Sequence, residues 1–228
     1  MLNDGAVGRR KKITALAEKI MPDKAKGDAD KFFYLVIMFM LVSFIGWCIE
    51  TIYFKIAFND FTDRGFLTLP LCTVYGSSVI LIYALIGTPT KGRLRPLFAR
   101  ADKLPAPVKI AAYAGLVAAY FAIAALLATA AEFVTGLLFD KVFGVELWSY
   151  SRHTHNLFGY ICIEMSLAWG ALITAAMGII WPPVEKIVFA IEPKAVRAVA
   201  ITFLICIAFD FIFNTAYLCI NGVHFELY

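Results

Sequence analysis

Residues 32–55 read FFYLVIMFMLVSFIGWCIETIYFK, an unbroken apolar run whose only charged members are Glu50 and Lys55. As helix, at about 1.5 Å per residue, the run covers about 36 Å, more than the roughly 30 Å hydrocarbon core of a bilayer. It is read as a membrane span. Comparable runs follow at 67–87, 108–139, 157–181 and 198–221. The 228-residue chain is 61% hydrophobic and 17% charged, with mean hydropathy +0.76, whereas soluble domains carry about 25% charged residues. The expected fold is all-α: a polytopic transmembrane helical bundle of about five spans occupying residues 32–228. A basic cytoplasmic segment, 1–31, precedes it.

Charge placement sets the expected orientation. Residues 1–31 hold eight Lys and Arg, the inner segment from Lys91 to Lys109 at the start of the third span six, and that between the fourth and fifth spans three. The alternate segments hold two (Lys55, Arg64), two (Lys141, Arg152) and none. Seventeen against four satisfies the positive-inside rule with the N-terminus in and the C-terminus out, and an odd number of spans preserves the alternation. The basic tail lacks the short charged region and small-residue cleavage site of a secretory signal, so the first span is expected to be permanent. Ile13, Leu16, Ala17 and Ile20 have amphipathic spacing beside Arg9–Lys12, which fits contact with anionic lipids as well as it fits a solvated tail.

Proline marks the irregular places. Pro70 removes a backbone donor near the start of the second span and makes its first turns irregular, as a re-entrant segment would be. The third span begins after Pro105 and Pro107 and is long enough to tilt. Trp181-Pro182-Pro183 is expected to end the fourth.

Acids inside spans cost about 2.5–3.5 kcal/mol on insertion scales and normally face protein or water. Glu50 stands about 27 Å along its span, near the outer interface, with Glu132 at similar height. Glu164 lies about 10 Å in from outside, and Asp210, about 18 Å from the inner side, has similar depth. This places Glu164 and Asp210 together in the bundle interior, at least one of them protonated. Each acid belongs to a polar stripe: Thr202, Cys206, Asp210, Asn214 and Tyr217; Thr129, Glu132, Gly136 and Asp140; Ser43, Gly46, Glu50 and Tyr53. Such stripes either line a cavity or form interhelical hydrogen-bond seams. Ala118, Ala122 and Ala125 allow close helix approach.

Cys48, Cys72, Cys162, Cys206 and Cys219 read as apolar packing residues, without a C-x-x-C pair. Trp148 and Tyr150 fit an interfacial aromatic belt. His153 and His155 lack a third ligand at a known metal-site spacing, so no metal ligand and no cofactor is expected.

Several blocks occur in order: Gly46-Trp47-x-x-Glu50; Arg64-Gly65-Phe66-Leu67 with Pro70-x-Cys72-x-x-Tyr75-Gly76; Glu132-x-x-x-Gly136; Trp148-x-Tyr150-Ser151 with Asn156-Leu157-x-Gly159; and Ser166-x-x-Trp169-Gly170. Over about 32–215 they resemble the "type IV" ABC-transporter permease family of bacterial membrane proteins, also called CmpB-like. The chain departs from that pattern at Thr73 (a second proline there), Ser149 (an aspartate) and Tyr160 (an arginine). Together the last two imply a lost ion pair.

The resemblance implies a multi-pass protein of the bacterial cell membrane, a permease subunit moving a small solute. The candidate solute-binding residues are Glu50, Arg64, Glu132, Trp148, Asn156, Glu164, Asp210 and Asn214, with Arg64 and Trp148 converging on the outer mouth. No G-x-x-x-x-G-K-[ST] occurs, so an ATP-driven version needs a separate ATPase chain. Five spans are few for a full path, which suggests a homo-oligomer. A structural or regulatory subunit needs only packed helices. An embedded enzyme lacks support: there is no H-E-x-x-H, no G-x-S-x-G and no histidine in a span, so no catalytic residue is assigned. The expected surroundings are lipid, with no nucleic-acid partner.

Overall fold

The computed structural model describes residues 28–59, 64–89, 91–223 and 225. The amphipathic spacing at 13–20 lies outside them. The described chain is mostly helical: α1 (Asp28–Phe58), α2 (Thr73–Ile86), α3 (Arg95–Ala101), α4 (Ala106–Leu138), α5 (Ile163–Ala175), α6 (Trp181–Phe189) and α7 (Pro193–Asn221). A π-helical turn, Phe139–Phe143, extends α4, and another, Ala176–Ile180, joins α5 to α6 without a break. Among the described residues, four helical stretches are long and apolar enough to cross a membrane: Asp30–Ala57, Ala106–Phe143, Ile163–Phe189 and Pro193–Asn221. Helix α2 is apolar, but its 14 residues reach only about 21 Å.

The helices alternate between two ends. At one, Tyr34 Oη of α1 donates to the Ile191 carbonyl at 2.6 Å, Arg197 of α7 pairs with Asp30 at 2.7 Å, and Tyr120 Oη of α4 donates to the Gly87 carbonyl at 2.8 Å. This basic end also holds the Asp102–Lys109 pair at 2.6 Å. The opposite end carries the 64–72 segment and the loop between α4 and α5. There Phe66, Leu67 and Leu71 pack with Leu218 of α7, flanked by Phe139 and Phe143. The larger core lies nearer the basic end, with Tyr34, Met38, Ile82, Tyr120, Ala124, Met177 and Ala200 at its centre. Ile56, Leu126, Phe209, Ile212 and Ile220 remain exposed, as suits lipid-facing side chains.

Glycine sets the closest helix approaches. A Cβ on Gly76 would fall 2.2 Å from Ser43 Oγ and 2.8 Å from the Phe39 carbonyl oxygen, so α2 seats backbone-close on α1. On α5, a Cβ at Gly170 would meet Ala125 Cβ at 2.7 Å.

The irregular start expected of the second span is present: Pro70 cannot donate and Gly65 sits at φ +98°, and regular helix starts at Thr73. Other expectations change. The fourth begins not at 157 but at Ile163, after a short hairpin, and does not end at Trp181-Pro182-Pro183. Those prolines fall in α6, directly after the π-helical turn Ala176–Ile180 that carries the helix on from α5. Of the alanines, Ala118 and Ala122 are exposed. The buried stripe of α4 is Tyr120, Ala124, Ala128, Glu132 and Gly136, one face at four-residue spacing. On α7 the buried polar residues are Asp210 and Asn214, while Thr202 and Cys206 are exposed.

Candidate functional site

The end opposite the basic one gathers polar chemistry in three places. The first joins α1, α2, α4 and α5. Glu50 of α1 accepts from Arg64 Nε at 3.1 Å and from Tyr75 Oη of α2 at 2.6 Å. The Arg64 guanidinium lies 3.8 Å over the Phe54 ring, a cation–π contact that holds it beside its carboxylate. The Tyr75 ring meets Trp169 of α5 edge-on, centroids 5.1 Å apart. Trp169 Nε1 in turn donates to Glu132 Oε1 at 3.4 Å, and Tyr150 Oη donates to the same oxygen at 2.8 Å. Glu50 and Glu132, on different helices, are thus ends of one run of contacts through Tyr75 and Trp169. Burial and the Glu132 carboxylate push the Tyr150 phenol upward, so it stays a donor at neutral pH.

Glu132 is 7% exposed, and its Oε2 has no hydrogen-bond partner among the described residues. Buried carboxylate oxygens normally find donors, and among the described residues this one has none. Trp148 packs against Gly136, one turn beyond Glu132, where a Cβ would meet Trp148 Cζ2 at 3.4 Å; its Nε1 donates to the Tyr160 carbonyl at 2.9 Å. Tyr160, standing where the family's arginine was expected, donates its hydroxyl to Asp140, which also pairs with Lys141 at 2.7 Å. Ser149, in place of the expected aspartate, hydrogen-bonds the Ser151 hydroxyl at 3.0 Å.

The second place is the irregular 64–72 segment. Non-helical backbone survives at membrane depth only when protein satisfies it, and Asp210 does this. Leu69 N–H donates to Asp210 Oδ2 at 3.0 Å, the Thr68 hydroxyl donates to Oδ1, and Asn214 Nδ2 reaches Oδ1 at 3.1 Å. Asn214 Nδ2 also contacts Thr68 Oγ1 at 3.0 Å, and Cys72 N–H donates to the Ser43 carbonyl at 3.0 Å. All three bonds end on Asp210, which ties the segment to α7.

The third place is the hairpin between Trp148 and α5. Strands β1 (Asn156–Leu157) and β2 (Ile161–Cys162) pair antiparallel. They are joined through Phe158 and Gly159 at φ +56° and +77°, as a type I′ turn requires. Asn156 closes the loop: Nδ2 donates to the His153 carbonyl at 2.6 Å and Oδ1 accepts from Gly159 N–H at 3.1 Å. Glu164 lies here and not beside Asp210. It opens α5 half-exposed, with His155 Nδ1 at 3.3 Å and His153 Nδ1 at 4.0 Å. The depth estimate paired it with Asp210 because it counted 157–162 as helix.

Of the candidate residues, the structure thus joins Glu50, Arg64 and Glu132, sets Trp148 at their rim, and separates Asp210 with Asn214 from Glu164 with Asn156. The sequence reading passed over Tyr75, Trp169 and Thr68 as participants. The regular spacing of Tyr75 and Trp169 within apolar helices gives no sign of their carboxylate partners.

Residues 37–215 match the family described as "Putative ABC-transporter type IV". Neither a curated protein nor a solved structure matches the chain. The chain belongs to that family, a multi-pass membrane protein built from apolar helices.

Proposed function

We propose that this chain is the membrane subunit of an ABC transporter that moves a small solute, with the Glu50–Arg64–Tyr75–Trp169–Glu132–Tyr150 cluster as its recognition site. The basic end faces the cytoplasm, where a separate ATPase chain docks. The hairpin end faces outward. Helix α2 and the 64–72 segment together make the fifth crossing, and a homo-oligomer completes the path.

The observation that carries this reading is Glu132 Oε2, a buried acceptor without a partner among the described residues, whose companion Oε1 accepts from Tyr150 Oη and Trp169 Nε1. A solute bearing N–H or O–H donors would satisfy it, and an unmade buried bond of this kind is worth about 1–3 kcal/mol. Aromatic walls around a carboxylate favour a cationic or amine-bearing solute. A panel of amines, amino acids and polyols, scored by stabilisation of the purified protein, tests the assignment. A solute that stabilises the native chain and fails with Glu132→Gln supports it. Equal stabilisation of both proteins refutes it.

A second reading, a subunit without turnover, draws on a different observation. A cleft of about 260 Å³ at this end is lined by Phe66, Leu67, Thr73, Phe139, Ile207, Ala208 and Phe211 rather than by the acids. On that reading the cluster is an interhelical seam.

A further inference from the structure

The hairpin folds a His-x-His arm back onto a Cys-x-Glu arm. His153, Cys162 and Glu164 each present one donor atom, and the three atoms lie within 4.8 Å of one another. Donors around a tetrahedral zinc ion, at about 2.0 Å for nitrogen and 2.3 Å for sulfur, stand about 3.3–3.8 Å apart. The 4.0 Å between His153 Nδ1 and Glu164 Oε2 is already near that figure, and drawing the others in takes movements of about an ångström. Cys162 is 2% exposed and stands at the N-cap position of α5. His155 Nδ1, 3.3 Å from Glu164 Oε1, stands where a hydrogen-bonding partner orients a ligating carboxylate.

We propose that this hairpin holds one divalent transition-metal ion of the zinc class, ligated by His153 nitrogen, Cys162 sulfur and Glu164 oxygen, with a fourth position open. His155 orients the Glu164 carboxylate. The donor set, one thiolate with one imidazole and one carboxylate, suits zinc and cobalt and disfavours calcium or magnesium, which take oxygen donors. On binding, the Cys162 thiol gives its proton to solvent and forms the metal–sulfur bond, with no change of oxidation state.

Occupancy has a mechanical consequence. The His153 N–H donates to the Tyr150 carbonyl, and Tyr150 N–H donates to the Gly159 carbonyl, both at 2.8 Å. The same tyrosine reaches Glu132. A metal tying His153 to the start of α5 therefore fixes the loop that holds Tyr150 over the buried carboxylate. The ligation itself does not depend on the transport reading.

The test uses the full chain, purified in mild detergent without a polyhistidine tag, stripped with a chelator and titrated with Co²⁺. The expected result is one Co²⁺ per chain, with a thiolate-to-cobalt charge-transfer band that added Zn²⁺ abolishes. Cys162→Ser should lose the band. His153→Ala and Glu164→Gln, both at half-exposed positions that leave the fold intact, should each weaken binding at least tenfold. Absence of saturable binding overturns the proposal. So does a charge-transfer band that persists in Cys162→Ser, or native affinity in both His153→Ala and Glu164→Gln.

Discussion

Replacing Asp210 by alanine should detach the 64–72 segment from α7. Three hydrogen bonds end on this carboxylate, from Thr68, Leu69 N–H and Asn214. Asn214 keeps partners in the variant, because its Nδ2 also touches Thr68 Oγ1 at 3.0 Å and the residue-210 carbonyl at 2.9 Å. Leu69 N–H keeps none of those and becomes a half-buried unmade donor, costing about 1–3 kcal/mol. Loss of the charge-assisted bond from Thr68 adds to this, for a total of about 3–5 kcal/mol. Asp210→Asn retains an oxygen for Leu69 and should cost about 1 kcal/mol. Unfolding free energy in a denaturing-detergent titration gives the size. Location comes from maleimide labelling of Cys72, which is 4% exposed with Sγ against the Arg64 carbonyl, in a background with the other cysteines changed to serine. Native stability and a protected Cys72 in Asp210→Ala would show that the carboxylate does not anchor the loop.

Gly76→Ala should destabilise by about 1–3 kcal/mol through overpacking of α1 against α2, whereas Gly115→Ala, with nothing within 4 Å of its added Cβ, should stay within experimental error in the same unfolding assay. At the basic end, hydrogen bonds from Lys109 and Tyr113 hold the Asp102 carboxyl below its ordinary range. This depressed value means the clip stabilises α3 against α4 above the free carboxylate range and is lost only as pH falls through the lowered one; local hydrogen exchange in α3 should rise there, and Asp102→Asn should remove that pH dependence. Fusion reporters should read cytoplasmic at Glu192 and external at Arg152 and after Tyr228. A cytoplasmic reporter after Tyr228 would end the five-crossing proposal.

What the sequence made legible follows from length and solvent. A run such as 32–55 has few options besides a spanning helix, and α1, α4 and α7 appear close to where their apolar runs lie. Glu50 is legible as a candidate because a lone acid at helical spacing among apolar residues has to face protein. Elements set by local backbone chemistry were harder. The turn at Phe158-Gly159 converts what hydropathy reads as the start of a span into a hairpin, and that single change moves Glu164 from beside Asp210 to beside two histidines. The proximity of Cys162 to His153 was hidden for the same reason. With six residues between His155 and Cys162, their spacing becomes informative only once the chain is known to reverse between them. Prolines misled in the opposite direction, because the helix carries on through Pro182 and Pro183.

The central claim, that this chain works as the membrane subunit of an ABC transporter, is tested most directly by purifying it from its native membrane in mild detergent and identifying and counting the chains that accompany it. The expected companion is an ATPase carrying a G-x-x-x-x-G-K-[ST] loop at fixed stoichiometry, released when the Lys91–Lys109 and Lys186–Arg197 basic residues are neutralised. A homo-oligomer of this chain alone, with no nucleotide-hydrolysing partner, would contradict it.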